Sequence, residues 1–391
     1  MRTAQATAAA VTAATTTALA ALAAGHVASG AALKPAAGRP LPTEPRLTLH
    51  TVTVGDGAGE ATGPATRSTA GHVTLTRALA SLRPGVYGLA GDGTHAVVGP
   101  VVTSAPHTAD TVVRRLERVT HGTLEPGDKV WLTPQVHIGN PRTALGLDHA
   151  DVSVPGELGS LPAWFVPGAR DTWIIAVHGL GTTREHPMVV MEQLHRHRFP
   201  VLALAYRGDL GAPRPPDGLS HLGETEWRDL DAAIRYAVRY GAERVVLHGW
   251  STGATMALRA ATHSALRDRI AGIILDSPVL DWEATVRALA AARHVPGPLL
   301  PLAVRAAQGR TGLRPHQIRE RADIRGLRVP TLLAHGPGDT VAPWGPSRRF
   351  ARTRPDLVTL YTVPDAPHGA MWNADPKGYE EAMRRFLTPF G

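Results

Sequence analysis

The sequence predicts an α/β protein: a mostly parallel sheet with helices on both faces and a helical cap, preceded by a small β-rich region. Three observations predict it. From Leu161 onward short apolar runs alternate with amphipathic helical patterns, as in a parallel sheet covered on both sides. At residues 245–253 a three-residue apolar strand (Val245, Val246, Leu247), a Gly249-Trp250-Ser251-Thr252-Gly253 turn and a small-residue helix follow one another directly. Before Leu161 the pattern changes to alternating, turn-rich segments, which fit antiparallel hairpins.

Composition bounds the function. The chain has 391 residues, 43% hydrophobic and 19% charged, enough for one large domain with an appendage or for two domains. Its formal charge of +8 comes from scattered arginines, without the lysine-rich runs of a nucleic-acid tail. No nucleic-acid partner is expected. There is no cysteine, which excludes disulfides, thiolate metal sites and a cysteine nucleophile.

In chain order, residues 1–32 are rich in Ala and Thr, with Arg2 the one charge before Lys34. They read as a signal peptide or membrane anchor, so an extracellular or membrane-anchored location is expected, with the cytoplasm as the alternative. Residues 33–46 read as a Pro-rich linker. Residues 47–155 form the β-rich region, with a Gly91-Asp92-Gly93 turn and one charged stretch, 111–119, read as helical. This region carries no recognisable chemistry and is expected to pack on, or shape access to, the α/β domain. Residues 156–391 hold that domain. Its sheet strands are read at 161–168, 172–179, 200–208, 245–247, 270–277, 329–336 and 357–363, and its last helix at 376–387. Residues 278–327 exceed what a crossover needs and read as a cap, whose apolar stretch 295–304 suits an acyl or aromatic substrate or packing against the sheet.

The chemistry centres on Ser251. A serine on so sharp a strand-to-helix turn stands at the carboxyl edge of the sheet, where ligands of such folds bind. Its hydroxyl needs a base, and the base needs a partner that fixes its tautomer. His368, after the last strand, and Asp339, after the strand at 329–336, supply them in an order that suits a central nucleophile. Backbone N–H groups of Leu180, in His178-Gly179-Leu180-Gly181 with Gly181 as the second choice, and of Thr252 are expected to hold an oxyanion. His178 is read as a support for that loop. Asp276 is the alternative acid. His248 and His335 read as core or supporting histidines, and His195 and His197 do not share a helix face for a metal. Arg207 and Asp209 meet a polar substrate group or pair with their neighbours. Glu224, Glu226, Asp229 and Asp231 crowd a helix start, and Trp250 packs under the turn.

The segments HGLG, GWSTG, GDTVAP and the His-Gly of PHGA, in this order and spacing, resemble the α/β-hydrolase superfamily on its esterase and prolyl-oligopeptidase-like side. The run from Pro200 to the helix near Asp231 is also similar to a group of actinobacterial α/β hydrolases. The resemblance spans Leu161 to the end and departs at Ala254, where many relatives have glycine. It implies a triad of Ser251, Asp339 and His368, an oxyanion site at Leu180 and Thr252, and neither cofactor nor metal. The expected function is a serine hydrolase that cleaves carboxylic esters through an acyl-enzyme, acting on a small-molecule ester. The alternatives are a peptidase or amidase on short peptides and, from another class, a non-catalytic interaction protein. Membrane association is expected through the N-terminal segment, with weak attraction of the scattered positive charge to an anionic membrane as a lesser alternative.

Overall fold

The computed structural model describes residues 38–54, 71–313 and 326–390, together with Gly25, Val27, Ser29, Gly30 and residues 32–34. The signal or anchor reading of residues 1–32 therefore lies almost wholly outside the described residues, as does the 314–325 part of the predicted cap. Among the described residues no helix is long and apolar enough to cross a membrane.

Six antiparallel strands close into a barrel: β1 (Leu47–Val54), β2 (Gly71–Thr76), β3 (Tyr87–Gly91), β4 (Thr94–Val101), β5 (Thr111–His121) and β6 (Lys129–Thr133), in the order β1-β2-β5-β4-β3-β6. Pairing of β6 with β1 completes the circle and leaves no open edge. Alternate residues point inward, as with Leu47 and Leu49 or Val73 and Leu75, and fill the interior. The β3–β4 hairpin turns at Asp92 and Gly93, the latter at a φ of 79°, as the Asp-Gly pair predicts.

Residues 111–119 are not a helix, as their charges suggested, but most of β5. Thr111, Val112, Val113, Val119 and Thr120 are β-branched residues that lose χ1 freedom in a helix and pack well on a pleated surface. The charges find strand-compatible places. Arg115 and Glu117 project from the same side and pair with each other, while Arg114 is fully buried. Its guanidinium donates to the carbonyls of Ser81, Arg83, Gly85 and Gly99, so one cation ties the 81–85 loop to the barrel wall.

A short helix, α1 (Pro141–Leu145), leads to an eight-stranded sheet. Its strands are β7 (Ala150–Gly156), β8 (Gly159–Val166), β9 (Thr172–Val177), β10 (Val201–Leu204), β11 (Arg244–Trp250), β12 (Ile270–Asp276), β13 (Thr331–His335) and β14 (Val358–Thr362). The order is β14-β13-β12-β11-β9-β10-β8-β7, parallel from β14 to β10 and closed at one edge by the antiparallel β8 and β7. β7, read from sequence as the end of the β-rich region, belongs to this sheet.

Both faces are covered. Ile175, Leu247, Ile273 and Leu333 pack under α3 (Trp227–Arg239) and α4 (Thr252–His263). Their chain neighbours Ile174, Val246, Ile274 and Leu332 pack on the other face with α2 (Met188–Arg196) and α9 (Pro376–Leu387). Adjacent apolar residues thus serve opposite faces, which is why these strands read as unbroken apolar runs. Val97 and Val136 join the second cluster and seat the barrel on that face.

Between β12 and β13 lie α5 (Trp282–Ala292) and α6 (Leu300–Thr311), followed after β13 by α7 (Trp344–Thr353) and, after β14, the short α8 (Met371–Ala374). The apolar side of α5 and α6 packs on residues of the Pro-rich stretch. Leu33 is buried with Trp282, Val286 and Val304, and Leu41 and Leu180 pack against Leu289, Ala290 and Ala303. Described residues of that stretch are anchored: Leu33 accepts from the Ser220 N–H, and Glu44 pairs with Arg83 of the barrel.

Candidate active site

The turn from β11 to α4 holds Ser251 at φ 51°, ψ −113°, a left-handed conformation that costs energy for any residue with a Cβ. Small neighbours make it attainable. A Cβ at Gly249 would strike the backbone of Gly253, and one at Gly253 would strike the carbonyl of Val177. A Cβ at Gly179 would come within 2.8 Å of the Ser251 Cβ, so the 178–181 loop can run beside the serine only with glycine there.

Two later loops, after β13 and after β14, meet Ser251 at this edge. Ser251 Oγ lies 2.6 Å from His368 Nε2, and His368 Nδ1 lies 2.7 Å from Asp339 Oδ2. With the ring proton on Nδ1, the imidazole donates to the carboxylate and accepts from the hydroxyl. Asp339 is fully occupied. Its Oδ2 also accepts from His335 Nε2 at 2.9 Å, and its Oδ1 accepts from the Val341 and Ala342 N–H groups at 2.8 and 2.9 Å. His335 is fixed in turn by the Ser347 hydroxyl.

The electrostatics single out one imidazole. Burial pushes His186 and His248 down to about 3, so both stay neutral. Burial also opposes charge on His368, but the Asp339 carboxylate, and then Asp276, outweigh it and raise His368 above the ordinary imidazole value. Asp339 moves the other way. Burial would raise its carboxyl, and His368 together with His335 holds it well below the usual carboxylate range.

Asp276 does not take the acid's place. It lies one strand over, accepts from the Ser277 hydroxyl, and is pushed up to about 7 by burial. Ser277 Oγ in turn accepts from the Gly369 N–H at 3.0 Å, which fixes the residue next to His368.

Leu180 follows Gly179 in the loop beside Ser251 and lines the same cavity, and Thr252 is the first residue of α4. His178 supports that loop as read: its Nε2 meets Asp209 Oδ2 at 2.7 Å and its ring stacks on Tyr206. Arg207 forms a two-pronged pair with Asp229 rather than facing the site. The acidic residues near α3 bind partners instead of merely facing its dipole: Glu224 holds Arg259, Glu226 accepts from Ser220 and the His221 and Gly223 N–H groups, and Asp231 holds Arg235 and Ser264. His248 bonds Tyr379, and Trp250 stacks on it at 3.9 Å between ring centres.

A cavity of about 40 Å³ lies against Ser251 and His368. Its walls include Leu180, Leu41, Trp131 and Leu132, and also Trp250, which the sequence predicts to pack under the turn. Among the described residues, none of the α5–α6 pair lines it. The barrel and the Pro-rich stretch form that wall instead, through contacts between segments far apart in the chain that leave no local pattern.

The barrel also grips the loop that carries His368. Asn373, fully buried on α8, donates from Nδ2 to the carbonyls of Val86 and Pro134, and its own carbonyl accepts from the Val86 N–H. Ala370 is part of the barrel core itself. Asn373→Ala leaves the part-buried Val86 and Pro134 carbonyls without that donor, so it is expected to lower the free energy of unfolding by about 1–3 kcal/mol in urea titrations.

Comparison with known proteins mirrors this division. The description "Alpha/beta hydrolase family" matches residues 174–386, more than half of the chain, and a "Domain of unknown function (DUF8805)" matches residues 64–133, within the barrel region. The protein named "Uncharacterized protein YfhR" from Escherichia coli O157:H7 is 26% identical over 236 residues, covering 58% of this chain and 76% of its own. Two structures of the Pyrococcus furiosus esterase Pf2001 superpose with TM-scores of 0.51 and 0.53 at 21% and 22% identity. They cover 65% of this chain and 97% and 95% of their own. At that identity the likeness concerns the fold. With the sheet order, the serine turn and the family match in agreement, the chain belongs to the alpha/beta hydrolase family.

Proposed function

We propose that this hydrolase cleaves carboxylic esters through an acyl-enzyme formed on Ser251. The observation that carries the reading is the unbroken run of short contacts from Asp339 through His368 to Ser251 at the wall of one cavity. Ser251 Oγ attacks the ester carbonyl carbon while His368 Nε2 takes its proton, and Asp339 steadies the imidazolium that results. The carbonyl oxygen becomes negative and accepts from the Leu180 and Thr252 N–H groups, the latter aided by the helix amino terminus. Collapse expels the alcohol, protonated by His368. Water then repeats the sequence on the acyl-serine and releases the acid. The name esterase carried by the Pyrococcus structures agrees with an ester as substrate.

A fluorophosphonate probe tests this directly. The purified chain is expected to take up one probe, with the adduct located by peptide mass spectrometry on Ser251, and to hydrolyse 4-nitrophenyl acetate. An adduct on another residue, or no adduct on folded protein, would overturn the reading.

A further inference from the structure

A second, larger cavity lies next to the one beside Ser251. About 490 Å³ lies between the barrel and the sheet domain, and it shares Trp131, Thr133 and Gly181 with the smaller cavity as a common rim. The two differ in size and in chemistry. A cavity needs roughly 10–15 Å³ by this kind of measure to hold one water, so 40 Å³ takes a group of about two or three heavy atoms. The larger one falls in the range of small-molecule sites, about 300–1,000 Å³.

The wall of the larger cavity is mixed, with Trp131, Ile138 and Pro40 beside polar groups that bond to one another. Gln135 lines it, and its Oε1 accepts from the Thr183 N–H and hydroxyl at 3.2 Å while its Nε2 donates to Glu185. Glu185 also accepts from the Gly139 N–H at 2.7 Å. Gln135 follows β6 and Glu185 precedes α2, so these bonds join the two sides of the cleft. Arg39, Arg46 and Asp92 complete the rim; with Glu185, the formal charges facing the cleft cancel. A site with donors and acceptors of both kinds and no net charge matches hydroxyl groups, each of which donates once and accepts twice. It matches neither a long hydrocarbon chain nor a strongly charged group.

We propose that the preferred substrate is an ester joining a group of two or three heavy atoms, seated beside Ser251, to a neutral polyhydroxylated partner such as a sugar, seated in the cleft between barrel and sheet. This rests on the ester-hydrolase reading above. The barrel then selects the part of the substrate that does not react. The shared chemistry has two sources, a short acyl group on a sugar hydroxyl or a short alcohol esterified to a sugar acid.

The test is a comparison of kcat/KM on wild-type protein for 6-O-acetylglucose, methyl gluconate, ethyl acetate and 4-nitrophenyl octanoate, with 4-nitrophenyl acetate as the general reporter. At least one sugar ester is expected to exceed ethyl acetate by 100-fold or more, and which one does identifies the source. Octanoate is expected to fall at least 10-fold below acetate in the 4-nitrophenyl pair. Thr183→Val is expected to reduce the ratio of sugar-ester to 4-nitrophenyl acetate kcat/KM by about 10-fold, chiefly through KM. Sugar esters within threefold of ethyl acetate, or octanoate preferred to acetate, would overturn the substrate assignment while Ser251 labelling and 4-nitrophenyl acetate hydrolysis still upheld the hydrolase. Loss of labelling and of all hydrolysis in folded protein would overturn both.

Discussion

His368→Ala is expected to lower kcat for 4-nitrophenyl acetate by about five to six orders of magnitude, with KM changed far less. The reason lies in the 2.6 Å contact with Ser251: the ring is the group placed to take the hydroxyl proton, and the other buried imidazoles nearby, His186 and His248, bond or stack elsewhere. Without it the attacking oxygen must leave its proton to water. In the proposed mechanism a residual rate would come from the Leu180 and Thr252 N–H groups and from binding, which do not depend on the ring. The effects of Ser251→Ala and His368→Ala should therefore not add. The double variant is expected to match either single variant within about tenfold, because each already removes the unit. Stopped assays over hours, with active-site titration to exclude wild-type contamination, measure this. Independent losses that multiply would mean that the two residues serve separate steps.

Much of the site could be read in the sequence because its parts depend on local rules. Gly249 and Gly253 are needed by one turn, Gly179 by one close approach, and the strands around them are apolar on both faces because both faces are covered. Each requirement writes itself into neighbouring residues. The features that escaped depend on distance along the chain. Asn373 is an ordinary polar residue in a terminal helix until β3 and β6 bring the Val86 and Pro134 carbonyls to it. Trp131 is an inward strand aromatic until the barrel docks beside Ser251. Residues 111–119 failed for another reason. Their charges resemble a solvated helix face, and only closure of the barrel supplies the four carbonyls that make a buried Arg114 tolerable. In the stretch read as a Pro-rich linker, the apolar residues Leu33 and Leu41 likewise gain meaning only from α5, α6 and Leu180.

Asp339→Asn should separate orientation from charge. The native carboxylate accepts four hydrogen bonds, two at each oxygen, from His335, His368, Val341 and Ala342. An amide has one acceptor oxygen, so either the two backbone N–H groups or the two imidazoles must face its NH₂. If the NH₂ faces His368, the ring keeps its proton on Nε2 and points it at Ser251, the wrong tautomer for a base; a loss of about 10⁴-fold in kcat is expected. The charge has its own signature. Because Asp339 is the main influence raising His368, its loss should move the acid limb of kcat/KM to lower pH, the reverse of what slower chemistry alone would do. Stability should respond in the same sense. The depressed Asp339 contributes above the unfolded carboxyl value of about 4 and loses that contribution as pH falls through its native value. The raised His368 contributes below the unfolded imidazole value of about 6.5 and loses it as pH rises through its native value. Both contributions are present between about pH 4 and 6.5, so urea unfolding of the variant should show a larger deficit at pH 5 than at pH 9. An acid limb that stays in place would transfer the control of His368 to Asp276, the second carboxyl that raises it.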